Sequence, residues 1–245
     1  MLKKHSNSVQ RNRGAARGYT LLELMMSLFI LALVTGAVFE QINQMQKRSS
    51  SEAMKVDLGQ EAREFVDQTV RDLHMSGFPG PSMYTTRPQP DSTVLAAGLV
   101  SVSPTQILFE GDVNNDGQVY SVNISYVAND PNDGNCPCVR RSALPKAPGG
   151  SLNQPLAGTY TETEHVFPPG TGAGQSGEDL FTYYDQNGIV VPIGGGADIS
   201  TASGTATIAK IKTVKINLSL QSALRDLSSN GFVRASMSAT ARLNQ

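Results

Sequence analysis

The chain has 245 residues, with 20 Lys+Arg against 21 Asp+Glu and 39% hydrophobic residues. That length suits one membrane helix and one modest domain and leaves little room for two large ones. The charge, mildly acidic once the basic leader is set aside, argues against a nucleic-acid footprint spread over the whole domain, though it does not exclude a local basic stripe.

Residues 1–18 form a basic leader. They hold Lys3, Lys4, Arg11, Arg13 and Arg17 and no acidic residue, so the rest of the chain is net acidic. Gly18 then joins the leader to an apolar run, Tyr19 to Val38, in which Glu23 is the only charge. As a helix this run would extend roughly 30 Å, the hydrocarbon thickness of a bilayer. The positive-inside bias holds the leader in the cytoplasm and sends the mass of the chain across the membrane. Glu23 would cost about 2.5–3.5 kcal/mol at a helix centre and less near an end. It either snorkels to the headgroups, favoured there by the helix dipole, or finds a partner where helices bundle. An ordinary secretory signal has a shorter apolar region and no reason to carry a glutamate. A plain anchor accounts for the span but not for a glycine, an aromatic residue and Glu23 in such close succession.

The helical pattern continues without proline through Ser76. Met54, Leu58, Ala62, Val66, Val70 and Leu73 recur at steps of three or four and give residues 39–76 one apolar face. Arg63 with Asp67, and Asp67 with Arg71, stand at helical i,i+4 spacing on the exposed side. Gly77-Phe78-Pro79-Gly80-Pro81 is a strong stop. Residues 19–76 therefore read as one helix of roughly 87 Å.

Residues 77–245 read as a β-rich domain. Tyr120–Tyr126, Val214–Leu220 and Val233–Leu243 alternate apolar and polar residues, as half-buried strands do. Leu180–Ile193 suggests a hairpin turning at Asn187-Gly188. Residues 79–93 and Pro145–Asp179 are rich in loop formers and are expected at the surface. Pro168–Asp179 lacks the lysine of a phosphate-binding loop and is read as a flexible loop. The expected fold class is α+β, a long N-terminal helix packed on an antiparallel sheet.

Asp112, Asn114 and Asp116 occupy positions one, three and five of a calcium-loop pattern, with Gly117 at six, but the twelfth position is Asn123 instead of a bidentate glutamate. The simpler expectation is a polar hairpin turn, with calcium as the second reading and no other cofactor. Cys136 and Cys138 flank one proline beyond the membrane, where thiols tend to be oxidised. A local disulfide is favoured; free thiols and an intermolecular link also fit, and a metal site would need further ligands. His5, His74 and His165 lie in no catalytic frame, His165 having only Glu162 and Glu164 nearby, and no catalytic residue is nominated.

The junction at Gly18, Tyr19 and Glu23 resembles the class III signal of type IV pilins and pseudopilins. The resemblance implies cleavage by prepilin peptidase between Gly18 and Tyr19 and N-methylation of Tyr19, with Tyr19 in place of the usual phenylalanine. It also implies that Glu23, fifth in the processed chain, pairs with the new amino terminus of a neighbouring subunit. Tyr19 and Glu23 stand i,i+4, so the amine of the same chain is an alternative partner. Val70–Phe78, Ile107–Tyr126, Phe181–Gly188 and Ile211–Leu220 look like PilW-type minor pilins and, less closely, like J-type minor pseudopilins of type II secretion. The likeness implies an inner-membrane, single-pass subunit of a type IV pilus that primes assembly or sits near the tip. Its implied partners are prepilin peptidase and other pilins or pseudopilins. The competing class is a binding or enzymatic domain tethered outside the cytoplasm.

Overall fold

A computed structural model of the chain describes residues 20–86, 92–131, 134, 136–155, 160–170, 172–226 and 229–243. The expected cleavage and methylation positions, Gly18 and Tyr19, lie outside the described residues. The chain divides between Lys47 and Arg48 into two compact units.

The first helix, α1, runs from Leu21 to His74, with Glu23 in its first turn and Arg71 and His74 in its last. Both placements suit the partial charges of the helix ends. The helix stops where Gly77 takes φ +83°, a left-handed conformation open to glycine, two residues before Pro79. Residues 21–47 of α1 belong to the first unit, and their apolar side chains are exposed. In the second unit, α1 buries Ala62, Phe65, Val66, Thr69, Asp72 and Leu73, with Leu58 and Val70 partly buried at the edge of the core. The expected apolar stripe is therefore present, widened by Phe65. Arg71 donates to Gln68 Oε1 at 2.8 Å, not to Asp67 as the spacing suggested.

Among the described residues nine strands follow: β1 (Gly98–Val102), β2 (Gln106–Gly111), β3 (Tyr120–Val127), β4 (Cys138–Pro145), β5 (Tyr160–Thr163), β6 (Phe181–Tyr184), β7 (Ala197–Asp198), β8 (Thr213–Arg225) and β9 (Phe232–Arg242). A short helix, α2, spans Ala202–Lys210 between β7 and β8. The strands form two antiparallel sheets. One is ordered β5-β4-β3-β2-β1-β7 and the other β6-β8-β9. One hydrophobic cluster joins them, with Phe109, Val122 and Ile124 from the larger sheet, Tyr183, Ile216 and Leu220 from the smaller, and Ala62, Phe65, Val66 and Leu73 from α1. The fold class is α+β.

α1 ends hard against the larger sheet. Ser76 bridges to Gly111, and a Cβ on Gly111 would lie 2.3 Å from the Met75 carbonyl oxygen, so only glycine lets the strand approach the helix end this closely. Gly77 N–H donates to the Glu110 carbonyl (2.9 Å) and Asp112 N–H to that of Phe78 (2.9 Å), extending the attachment past the helix.

Two expectations about loops need correction. Pro145 closes β4, and the 145–179 stretch contains β5 and Val166, which is 1% exposed and bridges to Leu220. Backbone pairing with β4 and β8 recruits these residues without any apolar alternation to announce them. The 180–193 hairpin has β6 as its first arm, while its return arm is only a bridge, Tyr184 to Val190, plus Val191 N–H donating to the Tyr183 carbonyl (2.8 Å).

Candidate functional site

The candidate site is the start of α1. Thr20 precedes the helix, and its Oγ1 accepts the Glu23 backbone N–H at 3.3 Å, as an N-cap does for the third residue inside. The helix bond from Leu24 N–H to the Thr20 carbonyl (3.2 Å) begins the ladder. Thr20-Leu21-Leu22-Glu23 has the spacing of a capping box, a signal legible in the sequence that the membrane-centred reading passed over. Ser27 Oγ donates to the Glu23 carbonyl at 2.8 Å, so the backbone around Glu23 is bonded on both sides. The Glu23 carboxylate itself has no partner among the described residues.

Beyond Glu23 the helix surface is apolar on all sides. Leu21 is 78% exposed, Phe29 60% and Phe39 62%, with Met25, Leu28, Leu31 and Leu33 similarly bare. Among the described residues, α1 is the one helix long and apolar enough to cross a membrane, and none of its most apolar window is buried. A helix that is apolar all round and uncovered by its own chain is suited to lipid or to other apolar helices. The chemistry of the site is therefore association, with one carboxylate able to take a cation.

Residues 13–39 match the family model of the prokaryotic N-terminal methylation motif. The match covers the end of the basic leader, the Gly18–Tyr19 junction, Glu23 and the apolar run. No curated protein and no solved structure matches the chain. The motif supports a type IV pilin-like protein of pilin or pseudopilin type, and a structural subunit more than an enzyme. Together with the apolar helix it indicates membrane anchoring. A signal of this class implies processing by prepilin peptidase and association with pilins.

The other sequence-nominated residues among those described lie in the second unit, where the calcium-pattern residues share one turn and the two cysteines one disulfide. Asp112 is 2% exposed, and its carboxylate accepts the N–H groups of Asp116 (3.0 Å) and Gly117 (2.9 Å). Asp116 accepts the Gln118 N–H (2.9 Å) and the Tyr120 hydroxyl (2.7 Å). These bonds hold its carboxyl below the usual aspartate value, the Tyr120 hydroxyl contributing most. Asn115 (φ +53°) and Gly117 (φ +82°) supply the left-handed residues of a tight turn. The segment joins β2 to β3 with the Asp112 and Asp116 carboxylates directed to the turn's own donors, and no group of three or more His, Cys, Asp or Glu side chains placed to hold a metal occurs among the described residues. Cys136 and Cys138 are joined by a disulfide. His165, at φ +51°, lies in the segment that pairs with β8, where its carbonyl accepts the Gln221 N–H (3.0 Å).

Sequence reasoning missed the buried charges. Lys146 Nζ lies 2.7 Å from Glu110 Oε2, both side chains having no exposure, and also donates to the Leu95 carbonyl (2.8 Å). The same carboxylate oxygen accepts the Ala97 N–H at 2.9 Å. Arg141 Nε lies 2.8 Å from Asp72 Oδ2, tying α1 to β4, while Gln68 donates to Asp72 Oδ1 at 2.7 Å. Burial pushes the Asp72 carboxyl above its ordinary value despite the opposing pull of Arg141 and Gln68.

Proposed function

We propose that the chain is a minor pilin-like subunit, cut by prepilin peptidase after Gly18, methylated on Tyr19 and built into a type IV pilus as a priming or tip component of the PilW type. The observation that carries this reading is the methylation motif over residues 13–39, whose Glu23 stands in the first turn of an uncovered apolar helix with its carboxylate unpartnered among the described residues. Before processing, the basic leader keeps the amino end in the cytoplasm and the helix in the inner membrane, with residues 77–245 on the periplasmic side.

Cleavage places a positive amine at Tyr19. In the assembled fibre the Glu23 carboxylate of a neighbouring subunit accepts it, and a charge pair held among apolar helices fixes axial register because any slip leaves both charges bare. Apolar faces from several stems bury one another once lipid is left behind. The protein's work is then assembly.

The deciding experiment is mass spectrometry of the amino terminus, on protein extracted from membranes of cells that possess the peptidase. A chain beginning at N-methylated Tyr19 supports the reading. An intact leader in such cells overturns it.

A further inference from the structure

We infer that the Cys136–Cys138 disulfide is a thiol-exchange site, at which Cys136 Sγ accepts a thiolate from another molecule and forms a mixed disulfide with it. The inference stands on the second unit alone and does not depend on how the amino terminus is processed.

The two sulfurs are not equivalent. Cys138 opens β4, is 0% exposed and pairs its backbone with Val127. Cys136 stands before the strand and is half-buried, so it offers the sulfur that an incoming group reaches first. Arg140, two residues into β4 from Cys138, reaches back to this loop: Nη1 lies 2.6 Å from Asp130 Oδ2, and Nη2 donates to Cys136 Sγ at 3.7 Å. Asp130 thereby holds one arm of the guanidinium and leaves the other on the sulfur. A guanidinium against sulfur favours thiolate over thiol, which makes Cys136 the better leaving group in exchange and the more ionised nucleophile once reduced.

A purely mechanical role does not explain this bond. It joins residues separated by 2 positions in the chain. The restraint that a disulfide places on the unfolded chain grows with the loop it closes, and this loop is very small. The segment is also secured without it, because the Pro137 carbonyl accepts the Val166 N–H at 2.8 Å and β3 pairs with β4 from Cys138 through Pro145. Opening the bond therefore frees two thiols on a backbone that stays in place.

The exchange balances. A thiolate of the incoming molecule attacks Cys136 Sγ; the bond from that sulfur to Cys138 Sγ breaks as the new one forms, and Cys138 takes up the proton that the attacking thiol released. Where the incoming molecule carries a second thiol, its thiolate attacks the partner sulfur of the mixed disulfide and expels Cys136 as a thiolate beside Arg140. The donor dithiol loses two electrons and the Cys136–Cys138 pair gains them.

The test uses the full chain in detergent micelles and two probes, glutathione and a synthetic peptide bearing two cysteines. The reduced peptide is expected to emerge as its internal disulfide while Cys136 and Cys138 become open to alkylation. Opening by the peptide identifies a polypeptide donor, and opening by glutathione alone a small thiol; either upholds exchange at this site. In Cys138→Ser, the remaining Cys136 thiol should take up glutathione from glutathione disulfide at neutral pH about tenfold faster than Cys138 does in Cys136→Ser. Adding Arg140→Met to Cys138→Ser should slow that uptake by a similar factor, and Arg140→Lys should slow it less. Far-ultraviolet circular dichroism should be the same for the oxidised and reduced chains. No opening by either probe, uptake at Cys138 as fast as at Cys136, unchanged uptake in folded Arg140→Met, or loss of β structure on reduction overturns the proposal. The two serine variants keep Arg140 in place, so their comparison decides even where Arg140→Met does not fold.

Discussion

On the proposed reading, Glu23 joins the membrane chemistry to the assembly chemistry. Its neighbours Thr20 and Ser27 engage only its backbone, so replacing the side chain leaves the helix start intact. Glu23→Ala is therefore expected to leave cleavage at Gly18 unchanged and to lower the amount recovered in sheared fibres relative to membranes. Normal recovery of that variant would remove the charge-pair mechanism. Lys146 and Glu110 pose the opposite problem, a pair already made inside the protein. Removing one partner strands the other charge, so Lys146→Met should lower unfolding stability by about 3–5 kcal/mol. Adding Glu110→Leu to that variant should recover most of the loss in chemical denaturation. Glu23 was legible in the sequence because it interrupts an apolar run. Glu110 was not, because in Ile-Leu-Phe-Glu-Gly it resembles the outward position of a half-buried strand, whereas Ile107 through Gly111 are all buried.

At the scale of elements, the β6 hairpin shows how a turn residue sets a pH response. Asp185 accepts N–H bonds from Ile189 (2.9 Å) and Asn187 (2.8 Å) at its Oδ1. These bonds, that of Ile189 foremost, hold its carboxyl below the unfolded value of 3.8. The unfolded chain thus binds the proton at a higher pH than the native turn does. The contribution is fully present above the unfolded value and is lost as pH falls through the lowered native one. Amide exchange at Ile189, corrected for its intrinsic pH dependence, is expected to accelerate on acidification below about pH 4, and Asp185→Asn should flatten that response. The Asn187-Gly188 turn, the strands starting at Tyr120, Val214 and Val233, and the α1 stripe were readable because turn chemistry and period announced them. α2 was not. Its nine residues include Ser203, Gly204, Thr205 and Thr207, and it is held by tertiary contacts more than by propensity. Thr201 Oγ1 caps it by accepting the Gly204 N–H (3.0 Å), and a Cβ on Gly204 would lie 2.0 Å from the Asp198 carbonyl.

For the whole molecule, the long N-terminal helix and the antiparallel strands were legible in the sequence, and the α+β class follows from the same patterns. The sequence did not foretell that the strands part into two sheets, because alternation marks which face of a strand is buried and not which neighbours it takes. The disulfide between Cys136 and Cys138 suits a domain held on the oxidising side of the membrane. In protein alkylated before reduction, neither cysteine should take label, and both should after reductant is added. Label before reduction would count against that placement.

The Leu21–His74 helix closes its backbone hydrogen bonds within itself. Its main chain therefore asks nothing of whatever surrounds the greasy stretch, be it acyl tails or the flanks of sister rods. On the proposed reading, passage from one environment to the other need exchange only side-chain neighbours.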